Sequence, residues 1–212
     1  MFNEGIFAVY KPKGITSNDA VQIVKRQAGG KKTGHAGTLD PLAEGVLVVG
    51  VGREATKQLS EIVKKEKEYL AVMKFGETSS TDDAEGEKIE IKVKNIPEII
   101  DIEKAIKKFQ GNIMQIPPVF SAIKVNGRKA YKLARAGREV EMKPREIEIK
   151  KIDITDYKWP VLKLKVVTGP GAYIRALARD IGDELGVGGY LADLERTRVG
   201  QFIAEEAARL KI

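Results

Sequence analysis

The chain contains no cysteine and only one histidine among its 212 residues. The missing cysteines exclude disulfides, thiolate zinc sites and a thiol nucleophile. A lone histidine cannot build a histidine-rich metal centre, so no metal is expected. No apolar stretch approaches the ~20 residues that a membrane-spanning helix requires. The first residues, Met1-Phe2-Asn3-Glu4-Gly5, lack the basic and apolar regions of a signal peptide. The expectations are therefore a cytoplasmic location and no membrane association. Internal repeats and low-complexity tracts are missing too. What is present is a hydrophobic content of 42% and a charged content of 32%, the balance of a soluble globular chain able to bury a real core. The net charge of +7 and pI of about 9.4 point to a polyanionic partner.

The most unusual stretch is Gly34-His35-Ala36-Gly37-Thr38-Leu39-Asp40-Pro41-Leu42-Ala43-Glu44-Gly45, followed by the apolar run Val46-Leu47-Val48-Val49. The run has the length and β-branched content of a buried strand. Pro41 disfavours the helical region for Asp40, so the carboxylate is displayed from a stiffened, extended backbone just before that strand. By themselves these residues also describe an ordinary turn.

Along the chain, Ile6–Tyr10 reads as a short strand, and Thr16 or Ser17 as the cap of a helix ended by Gly29-Gly30. Glu54 to Lys65 has helical spacing, and 68–76 reads as a strand. The segment 78–86 is a polar loop without the Asp-x-Asp-x-Asp spacing of a calcium site. Asp101 is expected to cap a helix from Ile102 to Gln110. From Ile116 to Arg145 the chain turns strongly basic, with Phe120 and Tyr131 interleaved among the charges. A helix from Arg128 to Ala136 with a thin apolar face suits a projecting element that closes on a phosphate backbone. Glu146–Thr155 and Val161–Thr168 alternate as strands. Ala172 to Leu185 reads as a helix with Arg175 in its first turn, where the helix dipole disfavours a cation and a carboxylate or phosphate partner is called for. Val199 to Phe202 is expected to be the last strand, and Ala204 to Leu210 a final helix.

Taken together, these motifs resemble the TruB family of tRNA pseudouridine synthases. The signature is 34–45. Supporting it are Lys11-Pro12-Lys13-Gly14, Lys67-Glu68-Tyr69, Thr81-Asp82-Asp83-Ala84-Glu85-Gly86, Gln115-Ile116-Pro117-Pro118-Val119-Phe120-Ser121-Ala122 and Gly171-Ala172-Tyr173-Ile174-Arg175. The resemblance implies an α+β fold: a mixed, largely antiparallel central sheet with flanking helices. It implies a single catalytic domain over 1–212, with a basic, thumb-like RNA-closing insertion at about 117–145 and no C-terminal PUA domain. It implies isomerisation of a T-loop uridine of tRNA (position 55) to pseudouridine, with no cofactor. Asp40 would be the catalytic aspartate, adding either to the ribose anomeric carbon or to uracil carbon 6. An ionised carboxylate in a water-poor pocket wants a fixed cation, and Arg175 is the candidate, with Tyr69 as the active-site tyrosine. His35, Asp83, Leu194 and Tyr173 would support the site, and Lys13, Lys57, Lys124, Arg128, Lys129 and Lys132 would contact RNA. The expected partner is the T arm of tRNA, bound by a monomer without an obligatory protein partner. A non-catalytic tRNA-binding or tRNA-folding protein is the rival from another class. A uridine C5 methyltransferase would need the missing thiol.

Overall fold

The computed structural model describes residues 2–125 and 127–210. In chain order, β1 (Gly5–Lys11) leads to α1 (Ser17–Gln27), β2 (Thr33–Ala36), β3 (Glu44–Val51), α2 (Arg53–Val63) and β4 (Lys67–Phe75). A hairpin of β5 (Glu77–Ser79) and β6 (Lys88–Glu90) precedes α3 (Ile99–Lys107) and β7 (Gly111–Gln115). A second hairpin, β8 (Lys124–Val125) with β9 (Arg128–Lys129), runs into α4 (Ala130–Arg135). Next come β10 (Arg145–Lys158), β11 (Val161–Thr168), α5 (Ile174–Glu184) and β12 (Gly189–Val199). The chain finishes with β13 (Phe202–Ile203), a 3₁₀ turn at Ala204–Glu206 and β14 (Ala208–Arg209). It divides into two compact units. The first holds residues through Leu70, Val167–Pro170 and the chain from Leu194. The second holds Ala71–Val166 and Gly171–Asp193.

In the first unit β3 is the hub. Its register is antiparallel to β1 along its whole length, antiparallel to β2 at its C-terminal half, and parallel to β12 through Glu195↔Glu44 and Arg196↔Gly45. Leu47, Val49 and Val51 point to one face and join Val9 with Ala20 and Val24 of α1 and with Ala28, which caps its C-terminus. Val46 and Val48 point to the other and meet Leu59 and Ile62 of α2. A strand buried on both faces needs no polar alternation, which is why this one is a continuous apolar run. Gly45 is required at its start. Its φ is +110°, and an added Cβ would lie 2.3 Å from the Arg196 carbonyl oxygen, so only glycine lets β3 and β12 pair this closely.

In the second unit β7 pairs antiparallel with β10, and β5 with β6. The apolar stripes of α3 (Ile102, Ala105, Ile106) and α5 (Ile174, Leu177, Ala178, Ile181) are buried, and Lys108 and Glu184 tie these helices at 2.6 Å. Parallel and antiparallel pairs occur together among strands flanked by helices, which is the expected α+β class.

Several expected boundaries move. α3 begins at Ile99 with Glu98 as its cap, and Asp101 is the third helical residue, whose carboxylate accepts from the Glu98 backbone N–H at 3.1 Å. An acid that reaches back one turn mimics a cap in sequence. Arg128 and Lys129 are strand, not helix, because Gly127 turns a tight hairpin at φ +78°; the cue was the Asn126-Gly127 dipeptide, although Asn126 itself lies outside the described residues. The expected polar loop at 78–86 overlaps β5, which runs Glu77–Ser79. Val199 closes the long β12, and Phe202 opens a new strand after the turn at Gly200. The expected final helix is a single 3₁₀ turn. Ala208 and Arg209 instead pair in parallel with Val9 and Tyr10, and Leu210 completes the described part of that segment.

Candidate active site

The first unit fixes the Asp40 loop from several sides. The buried Ser17 hydroxyl donates to the Leu39 carbonyl and accepts from the Leu39 N–H, both at 2.8 Å. The Gly14 N–H donates to the Pro41 carbonyl at 2.8 Å, and the Ala43 N–H to the Asp40 carbonyl at 3.1 Å. Arg196, only 1% exposed, donates through Nε to the Val46 carbonyl at 2.8 Å, and through its terminal nitrogens to the Gly37 and Thr38 carbonyls at 3.1 and 3.4 Å. The backbone on both sides of Asp40 is thereby held, while the residue itself is half-buried. A backbone pinned at this many points displays its side chain with little freedom.

Two charged neighbours shape this loop. Lys11 is fully buried, and its ammonium donates to the Pro12 and Ile15 carbonyls at 2.8 Å each. Burial pulls its pKa down to about 8, while the Asp40 carboxylate pushes in the opposite direction. Tyr69 is buried in β4, and burial pushes its phenol up; the adjacent Arg196 guanidinium opposes this and the Asp40 charge adds to it. Asp40, Tyr69, Lys11 and Arg196 therefore sense one another in the first unit. Lys67, also buried, donates to the Val63 and Lys65 carbonyls at the end of α2, and burial lowers it to about 8. His35 lies on β2 opposite Val49. Burial lowers its pKa and the Arg196 charge adds to that, while its buried Nδ1 has no hydrogen-bond partner among the described residues. Leu194 is buried on β12.

The second unit organises Arg175. This residue is 5% exposed in the first turn of α5. Its guanidinium meets Asp83 Oδ2 at 3.2 Å and donates to the Thr81 carbonyl at 3.1 Å and the Phe120 carbonyl at 3.0 Å. The carboxylate called for at this helix start is thus Asp83. Asp83 is held in turn by the Thr81 hydroxyl and by the Glu85 N–H at 3.0 Å. One helical turn on, Arg179 bonds Asp82 and Asp180 at 2.8 and 2.7 Å and the Ile116 carbonyl at 2.8 Å. Burial raises the pKa of Asp82, and Arg179 opposes that. The backbone of Tyr173 exchanges two hydrogen bonds with the buried Gln115 side chain, at 2.9 and 3.1 Å.

Of the residues proposed for RNA contact, Lys124, Arg128, Lys129 and Lys132 are all exposed on the basic segment of the second unit. Lys13 and Lys57 belong to the first unit and pair with Glu44 at 3.6 Å and Glu54 at 2.7 Å. Sequence reasoning missed Lys11, Lys67, Arg179 and Arg196. A cue existed for two of them, since period-two alternation puts Lys11 on the face of Val9 and Arg196 on the face of Leu194. Among the described residues no cluster of His, Cys, Asp and Glu could hold a metal ion, and no helix is long and apolar enough to cross a membrane.

The model of the TruB family pseudouridylate synthase N-terminal domain matches residues 25–174, and that of the tRNA pseudouridylate synthase B C-terminal domain matches 175–211. The border between the two matches falls inside α5. A tRNA pseudouridine synthase B of Thermobifida fusca is 44% identical over 98% of this chain and 73% of its own length. One of Mycobacteroides abscessus is 45% identical over 98% and 71%. Among solved structures, a chain of a Cbf5–Nop10–Gar1 complex superposes with a TM-score of 0.75 at 30% identity, covering 97% of this chain. A chain of the archaeal box H/ACA Nop10–Cbf5 complex gives 0.71 at 29%. This chain spans about half the length of each of those two. With the family models together covering most of the sequence and relatives this similar over nearly all of it, the chain belongs to the TruB family of pseudouridylate synthases.

Proposed function

We propose that the chain converts a uridine in the T loop of tRNA (position 55) to pseudouridine, with Asp40 as the nucleophile. The name shared by its relatives, tRNA pseudouridine synthase B, supports tRNA as the substrate. The observation that carries the catalytic assignment is the pinned loop: an acid fixed through Ser17, Gly14 and Arg196, beside a buried tyrosine. A protein that only bound RNA would have no use for such rigidity at a carboxylate.

In the reaction the bond between ribose C1′ and uracil N1 breaks, the uracil turns, and C5 bonds to C1′. C5 loses a proton and N1 gains one, so atoms balance without any redox partner. The aspartate adds either to the anomeric carbon or to uracil carbon 6, splitting one hard step into easier ones. Tyr69, protonated at neutral pH, stacks on the base and helps move the C5 proton. Arg175 is the cationic member of the set, oriented by Asp83. The target must first leave the loop stack, with His35 and Leu194 bordering its pocket and Tyr173 supporting Arg175 from the start of α5. Lys13, Lys57, Lys124, Arg128, Lys129 and Lys132 hold the phosphates, and the segment at about 117–145 closes over the T arm and expels water. The protein acts as a monomer in the cytoplasm, with no obligatory protein partner.

The test is to incubate the purified chain with a T-arm hairpin transcript and map pseudouridine chemically. Wild type should modify the T-loop uridine, and Asp40→Asn should lower the rate by about 10³-fold or more while still binding RNA. An unmodified T loop, or an active Asp40→Asn protein, would sink the proposal, and intact binding without product would favour a tRNA-folding role.

A further inference from the structure

The root of the basic segment is fastened to one helix at three successive points, all within the second unit. Gln115, 1% exposed, exchanges its two bonds with the Tyr173 backbone. The Ile116 carbonyl accepts from Arg179 at 2.8 Å. The Phe120 carbonyl accepts from Arg175 at 3.0 Å. Between the last two lie Pro117 and Pro118, both buried, whose rings stiffen the backbone. The same two arginines, one helical turn apart, also hold the acidic loop: Arg175 through Thr81 and Asp83, Arg179 through Asp82. Beyond Ser121 the pattern ends. The hairpin and α4 carry exposed Lys124, Arg128, Lys129 and Lys132, and α4 buries only Ala130.

We infer that Arg179 is a positioning residue: it pins the root of the basic segment to α5 and the acidic loop, so that the segment swings on a fixed base when RNA is gripped. The inference rests on the proposed RNA-closing role of that segment. Arg179 suits the task because one planar fork can serve two carboxylates and a carbonyl at once. Its head lies between Asp82 and Asp180, so removing it leaves two adjacent acids uncompensated and frees the Ile116 carbonyl. Lysine would restore the charge but not the span.

The experiment compares wild type, Arg179→Gln and Arg179→Lys in full-length protein, using the T-arm hairpin. Steady-state KM, the single-turnover rate at saturating RNA and amide hydrogen exchange are measured. Arg179→Gln should raise KM about tenfold, keep the saturated single-turnover rate within about threefold, and speed exchange at 115–136. Arg179→Lys should recover part of the KM. An unchanged KM, or a saturated rate that falls as far as KM rises, overturns the inference. If Arg179→Gln does not fold, Arg179→Lys carries the same comparison, because it keeps the charge while losing the fork. Failure of the underlying activity is recognised separately, by wild type making no pseudouridine; exchange at 115–136 still decides whether Arg179 pins the root.

Discussion

At the scale of single residues, the first unit is marked by buried cations. Lys11, Lys67 and Arg196 lie within the first unit at 0%, 6% and 1% exposure. Each spends its hydrogens on backbone carbonyls. Burial lowers both lysines, and Arg196 lowers them further by charge repulsion. A neutral amine still donates two hydrogen bonds, so each lysine can lose its proton without giving up the two carbonyls it holds. In the unfolded chain these lysines stay protonated to the ordinary value of 10.5, against about 8 when folded. From about pH 8 upward the unfolded state therefore binds more protons, and stability rises with pH. Below that both states are protonated and these groups add no slope. The window closes near pH 10, where Tyr10, pushed up to about 12 chiefly by burial, and the buried Tyr69 begin to favour unfolding. Urea midpoints should climb between about pH 7.5 and 9.5, and Lys11→Met and Lys67→Met should each flatten the climb. A midpoint that falls over this range would contradict the burial of both ammoniums.

At the scale of elements, most strands and helices were legible because their periodicities are strong. The cap of α1 is an example: Thr16 and Asp19 form a reciprocal capping box, as the sequence suggested for that position. Short elements were less legible. β8, β9 and β14 have two residues each, too few for any period, and they exist because partner strands accept them. Gly45 shows how a residue with an ordinary local role can govern pairing of distant strands. Gly45→Ala would drive a methyl group into the Arg196 backbone, at a cost of about 3 kcal/mol or more. Gly127→Ala, with open space around it, should cost only about 1 kcal/mol of backbone strain. Chemical unfolding of the two variants checks the order, and equal losses would mean that β3 and β12 do not pair as described.

At the scale of the whole molecule, the net charge of +7 is the broadest constraint on the partner. Lys124, Arg128, Lys129 and Lys132 are exposed together in the second unit, so their contribution to RNA affinity should be electrostatic and salt-dependent. Reversing Lys124, Lys129 and Lys132 to Glu should weaken T-arm binding by more than about tenfold in low salt. It should also flatten the log–log salt slope by roughly 0.7–0.9 for each phosphate that is no longer neutralised. The rate of pre-bound RNA should change much less. Filter binding across a salt series decides this, and an unchanged slope would move the RNA-binding surface elsewhere.

The sequence by itself determined the chemistry that was possible. The lack of cysteine and the lone histidine removed thiol and histidine-built metal catalysis, and the Gly34–Gly45 signature singled out one aspartate on a stiffened turn. It also determined the principal strands and helices, because apolar spacing is a local property. Only the tertiary structure decided which charges are buried and what each one holds. Arg196 and Arg198 sit two residues apart on one strand and are alike to any local rule. Yet Arg196 is enclosed among loop carbonyls while Arg198 pairs with Glu66 at 2.7 Å in a more open position. The same is true of Arg175 and Arg179, whose partners at 81–83 and 116–120 are distant in sequence. Burial depends on what the rest of the chain brings alongside: strand alternation puts Arg196 and Arg198 on the same face of β12, and only the tertiary partners tell the two apart.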